Sequence, residues 1–354
     1  MEFIWGIPGI QFIGAYLVGC PFVFKGHPFG AICNTTMMRM LIAAGADPHQ
    51  VQKIEGFGKG IETLVSDQRV AVVSVTGSDE TAAHMQRLRG LRPVKFEGGG
   101  SNWSYVDEGF NDDDLKKIAV RLVYAKLGFS SHKCTGLHGI AASPSTMAKL
   151  LPLLSREMDE WKVANPTDTP ADVTKVVGPC MVHKAKTAQD IQDQAMKAGV
   201  TVFRKGGRVT GSDYADHAEV IAPIILSGVK PDTTVTVDWD GKGEKVVNLM
   251  ATEFFMPILV TSEMQTFDDF LKYSLTQNPH DLAVSIWTRS DKNLSKARRV
   301  LAGMLKENDG TDSALEWEEF GASGIGTSGN MGVGDPEGTF AIYSRRQKGR
   351  HVVF

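Results

Sequence analysis

The chain has 354 residues, of which 42% are hydrophobic and 22% charged, and this composition is typical of a soluble globular protein. Its length predicts two domains or one large α/β unit, and its formal net charge of -3 indicates no surface for nucleic acid. Its cysteines, of which there are four, form no CxxC pair and no metal-ligand spacing. We therefore expect reduced thiols in a cytoplasmic protein and no metal site.

The first uncharged stretch, residues 3–24, is long enough to cross a membrane. Pro8 and Pro21 interrupt it, Gln11 lies inside it, and Glu2 stands where a signal sequence would be basic. We therefore expect a buried helix followed by a buried strand, and no membrane partner.

Strand and helix patterns alternate along the chain, which predicts βαβ units around a parallel sheet. The predicted strands include 22–25, 70–75, 200–204 and 282–287, and a hairpin is predicted at 235–239 and 244–249. The predicted helices are 10–18, 34–44, one capped by Ser78, one capped by Asn111, 144–161, 187–198 capped by Thr187, 267–275 and 292–306.

Cys134 lies in a loop of small residues that follows the helix capped by Asn111. Lys133 precedes it and His132 is close, and neighbouring positive charge lowers the pKa of a thiol. The loop therefore predicts a thiolate nucleophile. The alternative is a buried cysteine that only fills space.

Two further stretches suggest chemistry. The turn Thr76–Ser78 joins an apolar strand to a polar helix, and a helix N-terminus can bind phosphate, although simple turns of this kind are common. Glu97 precedes three consecutive glycines, so the carboxylate lies beside a sharp bend. It is a candidate general base, and the alternative is a solvated loop acid.

The order of these stretches resembles the aldehyde dehydrogenase superfamily over residues 3–310. The matching motifs are FVFK at 22–25, VTGS at 75–78, EGGG at 97–100, HKCT at 132–135, EFFMP at 253–257 and LAVSIWTR at 282–289.

The resemblance implies an α/β fold with a Rossmann-like dinucleotide-binding domain and an α/β catalytic domain. The domains would be residues 1–98, a partial NAD(P)-binding domain, residues 99–320, the thiol domain, and residues 321–354, a tail with a possible oligomerisation strand. The cofactor would be NAD or NADP, and the residues that bind it would be Lys25, Thr76, Gly77, Ser78, Glu253 and Phe255.

The reaction that the resemblance implies is oxidation of a small aldehyde to the carboxylic acid. Cys134 would attack the aldehyde, giving a thiohemiacetal and then a thioester. Glu97 would be the general base for hydrolysis of that thioester. The backbone N–H of Cys134 would donate to the oxyanion.

Several positions depart from the family pattern. The oxyanion-hole asparagine of the family would fall at Met1 or Glu2, so we expect an N-terminally shortened member. Ser101 replaces a lysine. Pro28 replaces the glutamate that binds a ribose 2′-hydroxyl, which makes NADP at least as suitable as NAD.

Other functions stay open. IWG at 4–6 and HKCT resemble a branch acting on semialdehydes of ring-opened aromatic acyl-CoA compounds, whereas GCPFVFKGHP at 19–28 resembles the 2-oxoglutarate semialdehyde branch. Alternatives to hydrolysis are a CoA-acylating aldehyde dehydrogenase and a catalytically impaired remnant or partner subunit. The apolar end 352–354 predicts a homo-oligomer, a dimer or tetramer.

Overall fold

The structure is a computed structural model and describes residues 5–56, 58–166, 173–210, 218–280, 282–301, 303–313, 321, 326–330 and 342–343. The chain divides into two compact units. The first comprises Met1–Gly98, Ala314–Gly324 and Gly329–Phe354, and the second comprises Gly99–Ser313 and Ile325–Ser328. Most of the predicted tail, including residues 352–354, lies outside the described residues, as do Met1 and Glu2.

The first unit alternates helices and short strands. Its elements are α1 (Gly6–Leu17), β1 (Phe22–Lys25), α2 (Ala31–Ala43), β2 (Val51–Ile54), α3 (Glu62–Ser66), β3 (Val73–Thr76), α4 (Asp79–Arg89) and β4 (Val94–Glu97). Strands β1 and β2 pair in parallel, and so do β3 and β4.

Aromatic packing explains the first of these pairs. Phe12 of α1 stacks on Phe22 at 5.3 Å between ring centroids and meets Phe24 edge-on at 5.5 Å. The alternating side chains of β1 therefore place both phenylalanines against one helix.

The second unit is built on a seven-stranded sheet. Its elements are β5 (Asn102–Val106), α5 (Asp112–Leu127), β6 (Leu137–Ala142), α6 (Pro144–Asp159), β7 (Lys162–Val163), β8 (Val176–Val177), β9 (Cys180–Met181), α7 (Val182–Lys197), β10 (Thr201–Arg204), β11 (Gly207–Val209), β12 (Ala218–Ala222), β13 (Ile224–Ser227), β14 (Thr234–Asp238), β15 (Glu244–Asn248), β16 (Ile258–Glu263), α8 (Phe267–Thr276), β17 (Ala283–Trp287), α9 (Asp291–Val300) and β18 (Met304–Glu307).

The strand order of this sheet is β10-β13-β16-β6-β5-β17-β18, and its pairs are parallel except β10 with β13. Neighbouring residues of β5 point to opposite faces: Tyr105 joins a core with α7 and α8, and Val106 joins a core with α5 and α6. The sheet is thus covered by helices on both faces, as expected of a parallel sheet.

The predicted caps at Ser78 and Asn111 are confirmed. The Ser78 hydroxyl accepts from the Thr81 N–H at 3.2 Å, and Asn111 forms a reciprocal capping box with Asp114. The predicted hairpin is confirmed as the antiparallel pair β14 and β15.

Several predicted helix ends are wrong. The helices predicted to begin at residues 10 and 34 begin at Gly6 and Ala31, and two further errors have a clear physical cause. Thr187 does not cap a helix, because α7 begins at Val182 and the Thr187 hydroxyl donates to the carbonyl of His183, one turn earlier. The helix predicted to reach Lys306 ends at Val300, since Gly303 is left-handed (φ 75°) and residues 304–307 form the edge strand β18.

No helix in the described part of the chain is long and apolar enough to cross a membrane. The helix predicted at 10–18 and the strand predicted at 22–25 correspond to α1 and β1. The expected burial is only partial, because Leu17 is 74% exposed and Val23 is 47% exposed.

Candidate active site

Lys25 and Thr76 each end a parallel strand of the first unit. Burial lowers the pKa of Lys25 from its usual value. The Thr76 hydroxyl accepts a hydrogen bond from the Gln11 amide at 2.7 Å. The carboxyl ends of parallel strands are where α/β sheets bind nucleotides, so both positions suit a cofactor.

The turn after β3 leaves backbone open at the start of α4. A Cβ added to Gly77 would meet no atom within 4 Å, and Gly77 and Ser78 are exposed. The positive end of the α4 dipole favours a phosphate there, whereas Asp79 and Glu80 in the first turn oppose it. The open backbone at Gly77 therefore leaves room for a phosphate group, provided that the phosphate lies away from the carboxylates of Asp79 and Glu80.

Glu97 ends β4 and is 4% exposed. It is aligned with Thr76 in the β3–β4 pair, and its carbonyl accepts the Gly77 N–H at 3.1 Å. On its other side it forms an antiparallel bridge with Gly329, where a Cβ would lie 2.2 Å from the Phe96 oxygen. The backbone of Glu97 is thus fixed on two sides, and the side chain is buried in a strand rather than solvated in a loop.

The loop before Cys134 has a strained backbone. Phe129, Ser130 and Ser131 are consecutive left-handed residues with φ of 52°, 56° and 64°. Such residues cost about 1–3 kcal/mol each and persist only where their surroundings hold them. Two hydroxyls do so: Ser130 accepts from the Gly178 N–H at 2.8 Å, and Ser131 donates to the Lys126 carbonyl at 2.6 Å.

The charges beside Cys134 differ from those expected. The Lys133 ammonium lies 2.6 Å from Asp312, and the two side chains are 7% and 2% exposed. Burial lowers the pKa of His132 to about 4, so this imidazole is neutral at pH 7. Lys133 is therefore neutralised by Asp312, and neither residue supplies the free positive charge that the sequence suggested for the thiol.

Asn102 holds the nucleophile loop from the sheet. Its amide nitrogen donates to the carbonyls of Cys134 at 2.7 Å and Gly136 at 2.9 Å, and its amide oxygen accepts the Ala283 N–H at 2.9 Å. The side chain is fully buried. One residue thus joins the Cys134 turn to the first residue of β17.

Glu253 and Phe255 lie beside the same loop. The Glu253 carboxylate accepts the Gly100 N–H at 3.1 Å, and Phe255, left-handed at φ 56°, contacts the His132 ring at 5.5 Å between centroids. Together with Gly100, Glu253 and Phe255 line a small pocket of the second unit. No group of three metal-binding side chains is found among the described residues.

Residues 3–344 match the family model described as "Aldehyde dehydrogenase family". The chain belongs to the aldehyde dehydrogenase family. The resemblance seen in the motifs is therefore confirmed.

Relatives of this aldehyde dehydrogenase family chain are distant and longer. It is 23% identical over 329 residues to the NADP-dependent glyceraldehyde-3-phosphate dehydrogenase of Streptococcus equinus, covering 91% of this chain and 63% of that protein. It is 24% identical over 346 residues to the 2,5-dioxopentanoate dehydrogenase of Saccharolobus solfataricus, covering 92% and 66%. The chain thus spans less than two thirds of either relative.

The aldehyde dehydrogenase fold is shown by solved structures. A putative methylmalonate-semialdehyde dehydrogenase of Sinorhizobium meliloti, complexed with NAD, aligns with a TM-score of 0.81 at 18% identity, covering 96% of this chain and 65% of that one. The predicted α/β fold class is confirmed.

The predicted site residues of this member of the aldehyde dehydrogenase family fall into two sets. Lys25, Thr76, Gly77, Ser78 and Glu97 lie in the first unit, where Gly77 and Glu97 are hydrogen-bonded. Cys134, Glu253 and Phe255 lie in the second. The roles of all eight stay predictions.

Sequence reasoning missed the residues that hold the Cys134 loop. Neither Asn102 nor Asp312 stands in a motif that the sequence analysis singles out. The one local signal was Asn102 itself, an amide in an apolar strand, which must find partners when buried. Nothing near Asp312 in the sequence indicates Lys133 as its partner.

Proposed function

We propose that this chain is an NAD(P)+-dependent aldehyde dehydrogenase that oxidises an aldehyde or semialdehyde to the carboxylic acid. The observation that carries the proposal is the Cys134 loop of a family member, strained and held by Ser130, Ser131 and Asn102. Strain that is retained by several side chains is typical of a functional loop.

In the proposed mechanism the Cys134 thiol loses its proton to solvent, its sulfur bonds to the aldehyde carbon, and the electrons of the carbonyl double bond move to the oxygen, which becomes an oxyanion. The Cys134 N–H donates to this oxyanion. Loss of hydride leaves a thioester on Cys134, and Glu97 then takes a proton from water as the water attacks the thioester carbon. The carbon–sulfur bond then breaks, the acid leaves, and the proton held by Glu97 passes to the sulfur, which regenerates the thiol and the carboxylate.

The nicotinamide cofactor, when bound, supplies the acceptor for the hydride. Lys25, at the end of β1, and the open backbone at Gly77 would hold its ribose and phosphates, and the Glu253 carboxylate would accept the hydroxyls of a ribose. Pro28 offers no acceptor for a 2′-hydroxyl, which favours NADP alongside NAD. The relatives support both, since one is named NADP-dependent and one solved structure contains NAD.

The substrate class proposed is a small aldehyde with an anionic group. The two relatives above act on glyceraldehyde-3-phosphate and 2,5-dioxopentanoate, one a phosphate and the other a carboxylate.

We further propose a cytoplasmic homo-oligomer, a dimer or tetramer. The free state of all four cysteines supports a reducing compartment.

The test is the absorbance of reduced nicotinamide. Purified protein is mixed with aldehydes and semialdehydes, with and without anionic groups, and with NAD+ or NADP+. We expect absorbance to rise and Cys134→Ser to abolish the rise, whereas Cys33→Ser, the same change at a cysteine of the first unit, leaves it unchanged. A rate that survives Cys134→Ser would contradict the proposal.

The alternatives give different results in the same assay. A CoA-acylating enzyme would form an acyl-CoA and need CoA for turnover, whereas the buried Glu97 supports hydrolysis. An impaired remnant or partner subunit would bind cofactor, measured by calorimetry, and show no rise with any aldehyde.

A further inference from the structure

Lys126 is a buried lysine that the proposed reaction does not use. It lies in the last turn of α5 and is 4% exposed, although lysine is almost never fully buried unless paired. Its side chain lines the small pocket of the second unit together with Glu253, Gly100 and Phe255. Burial of a lysine side chain in this pocket therefore requires a stabilising interaction.

One side of the Glu253 carboxylate lies against the backbone of Gly99 and Gly100, which carry no side chain. It accepts the Gly100 N–H, and a Cβ added to Gly99 would lie 1.8 Å from its Oε2. Only glycine therefore lets the carboxylate lie this close to the chain. A carboxylate that accepts a backbone N–H makes a charge-assisted hydrogen bond, and a cation in the same pocket adds electrostatic stabilisation to it.

The charges around Lys126 indicate Glu253 as its partner. Burial lowers the pKa of Lys126 to about 7, and Glu253 acts in the opposite direction by favouring the charged amine. Lys133 also lines the pocket, but its ammonium is held by Asp312. His132 and His138 are neutral at pH 7, because burial lowers the pKa of each to about 4 and about 3.

The backbone at Lys126 is fixed as well. Its carbonyl accepts the Ser131 hydroxyl at 2.6 Å, which joins the end of α5 to the left-handed loop before Cys134. The backbone of Lys126 is thus fixed, and the residue shares the small pocket with the Glu253 carboxylate, which is anchored to the Gly100 N–H.

We propose that Lys126 is a positioning residue that holds the Glu253 carboxylate against the Gly99–Gly100 backbone, ready to accept the hydroxyls of the nicotinamide ribose. The role toward ribose rests on the proposed function. The pairing of Lys126 with Glu253 does not.

The first experiment measures the pairing without cofactor. Lysines are labelled with 13C at Cε and titrated by NMR, and the Lys126 signal is assigned by its absence in Lys126→Met. We expect this signal to titrate near neutral pH and its midpoint to fall by about one pH unit in Glu253→Gln. An unchanged midpoint in Glu253→Gln would overturn the pairing.

The second experiment measures NAD+ and NADP+ dissociation constants by calorimetry from pH 6 to pH 9. Since the amine loses its proton as pH rises, wild-type affinity should weaken above pH 7. Lys126→Met, which keeps the length and apolar body of the side chain, should bind about tenfold more weakly at pH 6 and show little pH dependence.

The outcomes separate the two proposals. Equal affinity and equal pH dependence in wild type and Lys126→Met would overturn the role of Lys126 and leave the dehydrogenase standing. A wild-type protein that binds neither cofactor would overturn the role toward ribose together with the proposed function, while the NMR titration still decides the pairing. A Lys126→Met variant with a wild-type circular dichroism spectrum and melting temperature shows that lost affinity is not lost folding.

Discussion

At the scale of the residue, Glu97 separates the two halves of the proposed reaction. Thioester formation needs no base at this position, whereas hydrolysis does. Glu97→Gln keeps the shape of this buried side chain and removes its basicity. We therefore expect a burst of reduced nicotinamide in the first turnover, followed by steady-state turnover slowed about 10²- to 10⁴-fold.

Stopped-flow absorbance measures the burst and the steady state in one experiment. Glu160→Gln, the same change at an exposed residue, is the matched control and should behave as wild type. Loss of the burst in Glu97→Gln would show that Glu97 acts before the thioester forms, and full turnover would show that it is not the base.

At the scale of the element, Asp312 holds the segment between α5 and β6. Its two oxygens contact Lys133 at 2.6 Å and Arg121 at 2.7 Å, and Arg121 also contacts Asp309 at 2.6 Å. Asp312→Asn leaves the buried Lys133 ammonium without its anion, which should cost about 3 kcal/mol in the free energy of unfolding. Lys133→Met should cost less, because Asp312 keeps Arg121.

Urea denaturation measures these differences. Asp309 is 46% exposed, so Asp309→Asn is the matched control and should cost less than about 1 kcal/mol. Adding Lys133→Met to Asp312→Asn should recover stability by removing the unpaired charge. A double variant no more stable than Asp312→Asn would refute this explanation.

Elements whose ends depend on local chemistry could be predicted from the sequence. Ser78 and Asn111 cap their helices through N–H groups three residues away, and β1 matches its prediction at both ends. Thr187 has the same local signal as a cap, yet Asp238 of the hairpin also accepts its hydroxyl, a contact 51 residues away that the sequence does not show. Strand β18 forms by pairing with β17, and its local pattern still suits a helix.

The residues of the candidate site also divide into those that a local motif reveals and those that depend on contacts between distant parts of the chain. Cys134 and Glu97 stand in motifs of a few residues, so sequence reasoning finds them. The contacts that hold the loop join residues far apart in the chain: Asn102 to Cys134, and Lys133 to Asp312. They arise when β5 and β6 pair in the sheet and when the chain after β18 meets α5, so no local pattern contains them.

At the scale of the whole molecule, two compact units carry the candidate residues, and the assignment of cofactor binding to residues 1–98 and thiol chemistry to residues 99–320 stays a prediction. So does the homo-oligomer, because residues 352–354 lie outside the described residues.

The stability of the second unit can be predicted from a core residue. His138 is 3% exposed, and its Nε2–H donates to the Leu249 carbonyl at 3.0 Å.

The pH dependence of stability follows from His138. Burial lowers its pKa to about 3, so it stays neutral in the folded protein, whereas in the unfolded chain it binds a proton below about pH 6.5. Its contribution is complete above pH 6.5 and is lost as pH falls toward the folded pKa. From pH 7 to pH 5 the unfolding free energy should fall by about 2 kcal/mol from this residue alone.

Carboxylates also titrate in acid, so the comparison must be between variants. His138→Gln keeps an N–H donor near Leu249 and cannot titrate, and the loss of stability between pH 7 and pH 5, measured by urea unfolding, should shrink by about 2 kcal/mol. If His138→Gln shows the same loss as wild type, the buried imidazole is not what makes the folded unit sensitive to acid.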